Sequence, residues 1–539
     1  MGMRQTCIYL NSTTLPPDIL AAGTAILRAY APQAKLQTIS QQDMEQELDA
    51  GSLIRVERVR QTSLAIDGAA DGASLIDRED ASVWRGCAIW AELIDVCDRD
   101  GAGLSQVDEA VITSEEVGAI AQLPLIGRES FSRILVKQIL LRLLVQRGFS
   151  LPWGILTGMR PAKLLQRMED AHLDCQRQAE IFSGLFRVTP SRIALLQQIA
   201  AVQEETVASF AAHPQEIALY VGIPFCPSRC SYCSFPGTVP AADRADVCAY
   251  LQALHQEIAA VGLLMREQAL VAGSVYIGGG TPTMLNDGEL DHLLERLRCE
   301  IPWAADGEFT VEAGRPDTIR AENLLILQRY GVNRLSINPQ SMNPATLRRI
   351  GREHRTEDIV RSFELARALG FWLINMDVIL GLPQEGLAEV RMTLDAVGKL
   401  QPDNLTVHAL AIKRGARDWE GRLAHVSQET ALLMQELSRE RAEQWGMRPY
   451  YLYRQKFAAG HLENIGYAKP GMECRYNISI IEERQHIIGL GAGASNKIFT
   501  PDGRRFSSYF HPVNLPTYGD KWRRVHEQRI IEIDKLRSS

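Results

Sequence analysis

The sequence has little net charge and no long apolar run. Its 58 Lys and Arg against 65 Asp and Glu give a formal charge of −7. A charge this small gives no reason to expect nucleic acid or an acidic membrane as a general partner. The first residues lack the apolar core of a signal peptide. The most apolar helical stretch, 134–145, is interrupted by Lys137 and Arg142 and is too short to cross a bilayer. We therefore expect a cytoplasmic protein without a membrane span.

Most cysteines lack a neighbouring cysteine. The chain has ten cysteines, and in a protein that is not exported they are expected as thiols or metal ligands rather than disulfides. Seven are scattered, and each is predicted to be a small buried apolar residue. These are Cys7, Cys87, Cys97, Cys175, Cys248, Cys299 and Cys474. The remaining three, Cys226, Cys230 and Cys233, fall within eight residues and need a separate explanation.

A length of 539 residues predicts two or three domains. We expect an N-terminal α+β domain of unknown role over 1–205, a core over 206–420 and a mixed C-terminal region on the substrate side over 421–539. The N-terminal part shows strand-like runs at 7–10, 53–59 and 63–66, a helix over 130–148 and a turn-rich segment at 151–163. Its residues do not indicate a particular chemistry.

The middle of the chain alternates strands with helices. Six apolar runs are predicted strands: 217–223, 274–277, 308–311, 334–337, 373–378 and 404–409. Five helical stretches lie between them: 245–261, 288–299, 319–330, 357–369 and 386–400. This alternation predicts an α/β fold with a parallel sheet that curls toward a barrel. Beyond residue 419 it gives way to a helix near 428–445 and strands near 448–454 and 486–490.

Unusual residues follow the predicted strands, where a βα barrel carries its chemistry. The three cysteines follow the first strand, and the run Gly278-Gly-Gly-Thr-Pro-Thr283 follows the second. One candidate site residue lies at the end of each later strand or just after it. In chain order these are Glu312, Gln340, Asp377 and Ala411.

The cysteine motif Cys226-Pro-Ser-Arg-Cys-Ser-Tyr-Cys233 has two interpretations. A structural zinc site would need four ligands, usually in two pairs, and no second Cys or His pair follows at suitable spacing. Cys248 could be a lone fourth ligand, but it falls within a predicted helix. Three thiolates suit a [4Fe–4S] cluster with one iron left open for a small molecule that carries an amine and a carboxylate. The spacing favours the cluster.

The triple glycine also has two interpretations. Glycines can simply ease the turn from strand to helix. They can also expose backbone so that a ligand approaches closely, although their spacing is not that of a dinucleotide-binding fingerprint. The position of this run on the strand after the cysteine loop favours ligand binding.

Three motifs together resemble a known family. They are Tyr220-Val-Gly-Ile-Pro-Phe-Cys-Pro-Ser-Arg-Cys-Ser-Tyr-Cys233, the triple-glycine run, and Asn375-Met-Asp-Val-Ile-Leu-Gly-Leu-Pro383. The chain resembles the oxygen-independent coproporphyrinogen III oxidase group of radical S-adenosylmethionine (SAM) proteins, and its flanks resemble the HemZ-type branch. The flanking segments that carry this likeness are 153–163, 450–456 and 489–495. The resemblance implies a radical SAM partial (β/α)6 barrel with a [4Fe–4S] cluster and SAM as cofactors.

The resemblance also implies roles for individual residues. Cys226, Cys230 and Cys233 would hold the cluster. Tyr220 and Tyr232 would flank SAM near it. The remaining residues would contact SAM itself: Gly279, Gly280 and Thr281 at the methionine end, Glu312, Gln340, Arg352 and Asp377 at the charged and ribose groups, and Ala411 at the adenine. A guanidinium pairing with a carboxylate and an aspartate accepting from ribose hydroxyls are physically suitable contacts.

The implied activity is oxidative decarboxylation of propionates to vinyls, from coproporphyrinogen III to protoporphyrinogen IX in heme biosynthesis. It would start with a 5′-deoxyadenosyl radical, and a reducing protein such as flavodoxin or ferredoxin would donate the electron. Two departures weaken the substrate assignment: Phe235 stands where the tetrapyrrole-oxidising members have a further cysteine, and Gly222 where they tend to have histidine. The alternatives are a heme-binding or heme-chaperone protein of the same superfamily, or a radical SAM enzyme acting on another substrate.

The C-terminal stretch 450–456 is a candidate tetrapyrrole surface. Its aromatic residues could pack on a flat macrocycle, while Arg454 and Lys456, on one face of a strand, could meet propionates. The alternative is a strand with one buried face. Cys474 is a further candidate, as a donor or relay of a proton.

Overall fold

A computed structural model of the chain describes residues 7–11, 35–39, 51–60, 87–96, 106–121, 131–146, 148–158, 160–233, 235, 237–411, 426–455, 458–500 and 506–537. It divides into two compact units, Met1–Gln197 and Gln198–Ser539. The predicted strand at 63–66 lies outside the described residues. The division into three domains at residues 205 and 420 stays a prediction.

The first unit contains a five-stranded sheet of order β2-β1-β3-β4-β5. Its strands are β1 (Cys7–Asn11), β2 (Lys35–Ile39), β3 (Gly51–Arg60), β4 (Cys87–Val96) and β5 (Gln106–Ile112). Strand β1 runs parallel to its neighbours β2 and β3, whereas the pairs β3–β4 and β4–β5 are antiparallel. The helices that follow are α1 (Ser114–Ala121), α2 (Phe131–Gln146), α3 (Ala162–Asp170), α4 (Cys175–Gly184) and α5 (Pro190–Ala212), and α5 contains the boundary between the units.

The second unit is built on an eleven-stranded sheet of order β12-β13-β11-β10-β9-β8-β7-β6-β14-β15-β16. The six central strands are parallel: β6 (Glu216–Ile223), β7 (Val271–Gly279), β8 (Trp303–Glu312), β9 (Arg334–Ser336), β10 (Leu373–Leu380) and β11 (Asn404–Ala409). All six sequence-predicted strands are present within a few residues. The α/β class with a partial (β/α)6 barrel is confirmed, and the sheet does not close.

Helices connect the parallel strands. They are α6 (Ala245–Glu267), α7 (Asp287–Glu300), α8 (Ala321–Arg329), α9 (Pro344–Arg349), α10 (Thr356–Ala368) and α11 (Leu387–Leu400). Their local signals are clear in the sequence; for example, Asn286 caps α7 by accepting from the Glu289 amide at 2.9 Å, and the Glu289 carboxylate accepts in return from the Asn286 amide. Short α9 was not predicted from the sequence.

C-terminal elements extend both edges of the barrel sheet. After α12 (Gln428–Gln444), strand β13 (Glu463–Ala468) pairs antiparallel with β11, and strand β12 (Arg448–Arg454) pairs antiparallel with β13 at the sheet edge. After α13 (Arg475–Glu482), strand β14 (Ile487–Leu490) pairs parallel with β6, and β15 (Ser495–Phe499) and β16 (Phe506–Phe510) follow it antiparallel. Helix α14 (Leu515–Arg537) ends the unit. The sequence predicted β12 and β14 but not the continuous sheet that they join.

Helix α6 is long and apolar enough to cross a membrane, and it is the one such helix in the described part of the chain. However, 56% of its apolar window is buried, and the helix packs against α7 and α14. It covers one face of the parallel sheet, which explains its apolar composition.

A buried ionic cluster fastens α14 to the barrel. The Glu257 carboxylate of α6 lies 2.8 Å from His511 Nε2 and 3.1 Å from Arg529 Nη2, and it accepts from the Tyr518 hydroxyl at 2.7 Å. It also accepts from the backbone N–H of Gly491 at 3.1 Å, in the glycine-rich segment after β14. These partners compensate for burial and lower the pKa of Glu257 to about 2.

The scattered cysteines do not share one environment. Cys474 is buried as predicted, whereas Cys175, Cys248 and Cys299 are exposed. The prediction of burial was wrong for these three, because each lies on a helix with its side chain exposed to solvent. Cys248 lies within α6, where the sequence placed a helix.

Candidate functional site

The cysteine loop follows β6 and is fixed to the barrel by its backbone. The amide of Cys226 donates to the Thr238 carbonyl at 3.0 Å, and the amide of Ser231 donates to the Ile350 carbonyl at 3.1 Å. Cys230 is buried, and Cys226 and Cys233 are half-buried. The loop therefore holds three thiols at the carboxyl edge of the parallel sheet, where the sequence placed them.

The thiols interact electrostatically with one another and with nearby guanidinium groups. Burial raises the pKa of Cys226 and of Cys233, and the neighbouring cysteines raise each further. Arg315 opposes this effect at Cys226, and Arg352 opposes it at Cys233. The two guanidinium groups thus limit the rise in thiol pKa that burial causes, because a nearby cation favours the thiolate form.

The triple-glycine turn lies directly against this loop. Gly279 has a φ of +109°, and a Cβ there would lie 2.7 Å from the Phe235 ring. The Gly280 amide donates to the Ile223 carbonyl at 2.8 Å, which brings the turn close to the cysteine loop. A Cβ on Gly280 would therefore collide with the Phe225 carbonyl. The Thr281 hydroxyl donates to the Cys226 sulfur at 3.7 Å. Glycine is therefore needed at these positions partly because the turn after β7 packs closely against the segment after β6.

Glu312 ends β8 beside this turn. One carboxylate oxygen accepts from the Tyr276 hydroxyl at 2.6 Å and the other from the Gly279 amide at 3.0 Å. Burial raises the pKa of Glu312, and the Tyr276 hydroxyl opposes that rise. Tyr220 stacks on Tyr276 with ring centroids 6.3 Å apart. Predicted site residues from the first three strands thus meet at one place.

Gln340 and Arg352 lie on the next part of the edge. Gln340 has a φ of +63° and joins β10 through its amide, which donates to the Asp377 carbonyl at 2.9 Å. The Arg352 guanidinium donates to the backbone carbonyls of Asn338 at 2.6 Å and Gly314 at 3.2 Å. Within the described residues, Gln340 Oε1 and Arg352 Nε are buried without a hydrogen-bond partner.

Asp377 lies within β10 rather than at its end, and its carboxylate enters a polar network inside the barrel. Its Oδ1 accepts a hydrogen bond from the side-chain amide of Asn375 at 2.7 Å, and its Oδ2 lies 3.6 Å from His408 Nε2. Ala411 lies beyond β11 and forms an isolated antiparallel bridge with Ala458. The barrel interior is therefore lined with hydrogen-bonding groups at this end.

Tyr232 is half-buried next to Arg352. Burial raises its pKa, and Arg352 opposes that rise. Arg352 thus lies between the predicted SAM-contacting residues and the cysteine loop.

Two residues near the loop were not among the predicted contacts. Arg315 contacts Cys230, and the Phe235 ring covers the Gly279 turn. Phe235 was identified only as a departure from the family pattern. Nothing in its sequence spacing distinguishes Arg315 from a surface arginine.

The donor set fits a four-iron cluster better than a single metal ion. The loop offers three thiols, whereas a structural zinc site takes four ligands. A [4Fe–4S] cluster with one open iron takes three thiolates, each at a different iron. Three thiols around a buried cationic corner satisfy this requirement.

The candidate tetrapyrrole surface on β12 is mostly buried on both faces of the strand. The Tyr451 and Tyr453 hydroxyls face β11, at Thr406 Oγ1 (3.5 Å) and His408 Nδ1 (3.4 Å). Strand alternation puts Arg454 on the opposite face. The Arg454 side chain is 8% exposed there. Burial lowers the pKa of His461 to about 4, and the positive charge of Arg454 contributes to this shift. Lys456 lies outside the described residues. Tyr451 and Tyr453 therefore face away from Arg454, and a tetrapyrrole surface on this strand stays a prediction.

Cys474 is a buried cysteine outside the cysteine loop. It precedes α13, is 1% exposed, and its thiol donates to Glu308 Oε1 at 3.1 Å. Burial raises the pKa of Cys474. These surroundings suit a structural role and do not support the proposed proton relay.

Comparisons with known proteins agree with this site. Residues 220–397 match the Radical SAM superfamily. The chain is 35% identical over 448 residues to the oxygen-independent coproporphyrinogen-III oxidase-like protein HemZ of Bacillus subtilis, covering 80% of this chain and 89% of that protein. It is 33% identical to the heme chaperone HemW of Escherichia coli, covering 55% and 74%. The solved coproporphyrinogen III oxidase HemN of E. coli is 25% identical with a TM-score of 0.48, covering 60% and 73%.

The superfamily match gives the chain a [4Fe–4S] cluster and SAM as cofactors. The cysteine loop, the glycine turn and the polar barrel interior are the candidate sites for the two cofactors. The likeness to HemZ runs well beyond the barrel into both flanks. The chain therefore belongs to the radical SAM superfamily, in the group of oxygen-independent coproporphyrinogen-III oxidase-like proteins.

Proposed function

We propose that the chain catalyses the oxidative decarboxylation of tetrapyrrole propionates to vinyl groups, from coproporphyrinogen III to protoporphyrinogen IX, in the cytoplasm. The observation that carries this proposal is the meeting of three thiols, a glycine turn and a buried carboxylate at one edge of the barrel. The likeness to HemZ over most of the chain supports the substrate class.

We assign the cluster to Cys226, Cys230 and Cys233, with SAM beside it. Gly279, Gly280 and Thr281 would border the methionine end. The other SAM contacts would come from Tyr220, Tyr232, Glu312, Gln340, Arg352, Asp377 and Ala411. Glu312 suits a ligand amine because it is a buried carboxylate beside an exposed backbone turn. Arg352 suits a ligand carboxylate because its buried Nε has no partner among the described residues.

The protein has to shield a reactive centre and aim it. When bound, the cluster and SAM supply the one-electron chemistry that removes a hydrogen atom from the β-carbon of a propionate. Loss of CO₂ from the substrate radical, with transfer of one electron to a separate one-electron acceptor, would then leave the vinyl group. Tyr220, Tyr276 and Tyr476 stack at 4.7–6.3 Å between ring centroids and close the barrel interior below the turn. A reducing protein such as flavodoxin or ferredoxin would supply the electron to the cluster.

Two substitutions test the SAM assignment. Asp377→Ala and Arg352→Ala should each weaken SAM binding by about 1–3 kcal/mol, because each removes a charge-assisted hydrogen bond. Calorimetric titration of SAM into the anaerobic holoprotein measures the change. Iron content should stay unchanged, and Arg329→Ala, a surface arginine that is 64% exposed, is the matched control. Unchanged SAM affinity in both variants would show that these residues do not contact SAM.

A heme-delivering function is the second candidate. It is favoured by the 33% identity to HemW of E. coli and by Phe235, which stands where the oxidising members have a further cysteine. The Phe235 ring covers the Gly279 turn, so no additional thiol is present at that point. Such a protein would retain the cluster and SAM without turning over coproporphyrinogen.

One anaerobic experiment separates the two candidates. Reconstituted holoprotein is incubated with coproporphyrinogen III, SAM and a reductant, and heme affinity is measured on the same sample. Vinyl products together with 5′-deoxyadenosine support the decarboxylase. Tight heme binding without decarboxylation supports the heme-delivering function. Cys230→Ala serves as the control for chemistry that does not depend on the cluster.

A further inference from the structure

We propose that Arg315 and Asp317 form a charge pair that sets the reduction potential of the cluster through Cys230. The inference rests on the assignment of the cluster to the three cysteines. Arg315 would be a positioning and tuning residue rather than a catalytic one. Its positive charge would stabilise the reduced cluster, and Asp317 would limit that effect.

Arg315 is directed at the cysteine loop from the segment after β8. Its side chain is 4% exposed, and Nη1 lies 3.8 Å from the Cys230 sulfur. Both Nη1 and Nη2 donate to the Ser228 hydroxyl at 3.1 Å. A guanidinium in this position meets a cluster ligand directly, at a point from which water is largely excluded.

Asp317 occupies the other side of the same guanidinium. Its carboxylate accepts from Arg315 Nε at 3.0 Å and Nη2 at 3.1 Å, which is the two-point geometry of a strong pair. His354 Nδ1 is 3.7 Å from the carboxylate, and burial lowers the pKa of His354. Asp317 therefore pairs with Arg315 through two hydrogen bonds. The positively charged guanidinium of Arg315 lies toward Cys230, and the negatively charged carboxylate of Asp317 lies on the far side of the guanidinium.

This orientation gives the two residues opposite effects. Reduction adds a negative charge to a cluster, so a nearby cation favours the reduced form and a nearby anion opposes it. Removing the Arg315 charge leaves the Asp317 carboxylate near the site and should lower the potential. Removing the Asp317 charge leaves Arg315 uncompensated and should raise it.

A purely structural role predicts a different result. Arg315 also clamps the loop through Ser228, and a clamp would matter for iron retention rather than for potential. Loss of either partner would then loosen the loop and reduce iron content in the same direction. The sign of the potential shift therefore distinguishes tuning from clamping.

The experiment compares Arg315→Gln and Asp317→Asn with the wild-type holoprotein. Arg329→Gln, remote from the loop, is the control. The reduced cluster is measured by electron paramagnetic resonance during an anaerobic redox titration without SAM. At fixed solution potential, Arg315→Gln should lower the ratio of reduced to oxidised cluster about tenfold, which is about 59 mV for one electron. Asp317→Asn should raise that ratio severalfold, and the control should match the wild type.

Shifts of opposite sign at normal iron content support the inference. Equal potentials in all four proteins, shifts of the same sign, or iron loss without a shift in the remaining cluster would overturn it. Arg315→Lys keeps the positive charge but loses the forked guanidinium. Its cluster should have a reduction potential close to that of the wild type. If the wild type itself binds no iron–sulfur cluster, the cluster assignment fails instead, and that result is read before any variant is compared.

Discussion

Replacing Cys230 with alanine should abolish iron–sulfur cluster binding while leaving the rest of the protein folded. The wild type, reconstituted anaerobically, should contain about four irons and four sulfides per chain. Cys230 is the most buried of the three loop cysteines, and each of the three is assigned to a different iron. Cys226→Ala and Cys233→Ala should behave in the same way. Iron and sulfide analysis together with the visible absorption spectrum measures the loss.

Cys248→Ala and Cys299→Ala are matched controls, because both thiols are exposed on helices outside the loop. They should retain full iron content. Stoichiometric zinc without iron in the reconstituted wild type would contradict the cluster assignment. So would a Cys230→Ala variant that keeps four irons. Circular dichroism on each variant excludes unfolding as the cause of any loss.

The barrel could be predicted from the sequence because its signals are local and repeated. Apolar runs such as 217–223 and 404–409 alternate with amphipathic helices, and each strand ends at a chemically unusual residue. The structure places those residues at one edge, as parallel pairing requires. The predicted strand bounds were within a few residues of the observed ones even for β9, the shortest of these strands.

The C-terminal region was less predictable because its partners are distant in sequence. Strand β12 was located correctly, but its face depends on pairing with β13 and on contacts with β11. Alternation alone could not show that Tyr453 faces the barrel while Arg454 is buried on the other side. Likewise, Arg315 contacts Cys230 across 85 positions in the sequence, so only the fold brings them together.

Glu308→Ala should destabilise the second unit more than any single surface substitution. Glu308 lies four residues before Glu312 on β8, about 13 Å farther down the strand. One oxygen accepts from the Cys474 thiol and the Tyr476 amide, each at 3.1 Å. The other accepts from the Arg475 amide at 2.9 Å. A side chain from β8 therefore caps the amino end of α13, where Cys474 offers no side-chain cap of its own.

The same carboxylate compensates a buried arginine. Arg334 is 2% exposed, and its Nε lies 3.5 Å from Glu308. Truncating Glu308 would leave this guanidinium without its anionic partner and two helix N–H groups without an acceptor. Breaking a buried ion pair from one side costs about 3–5 kcal/mol, so we expect the free energy of unfolding to fall by about that amount. Glu308→Gln should cost less, since the amide keeps one acceptor oxygen and the volume of the side chain.

Urea unfolding followed by circular dichroism measures this loss, with Asp306→Ala as the matched control. Asp306 is exposed on the same strand, and its removal should change the free energy of unfolding by no more than about 0.5 kcal/mol. Iron content at low temperature should be normal in Glu308→Ala, because the carboxylate is remote from the cysteine loop. A loss below about 1 kcal/mol would show that water replaces the carboxylate as acceptor. Iron loss from a folded variant would show instead that this end of the barrel is coupled to the cluster site.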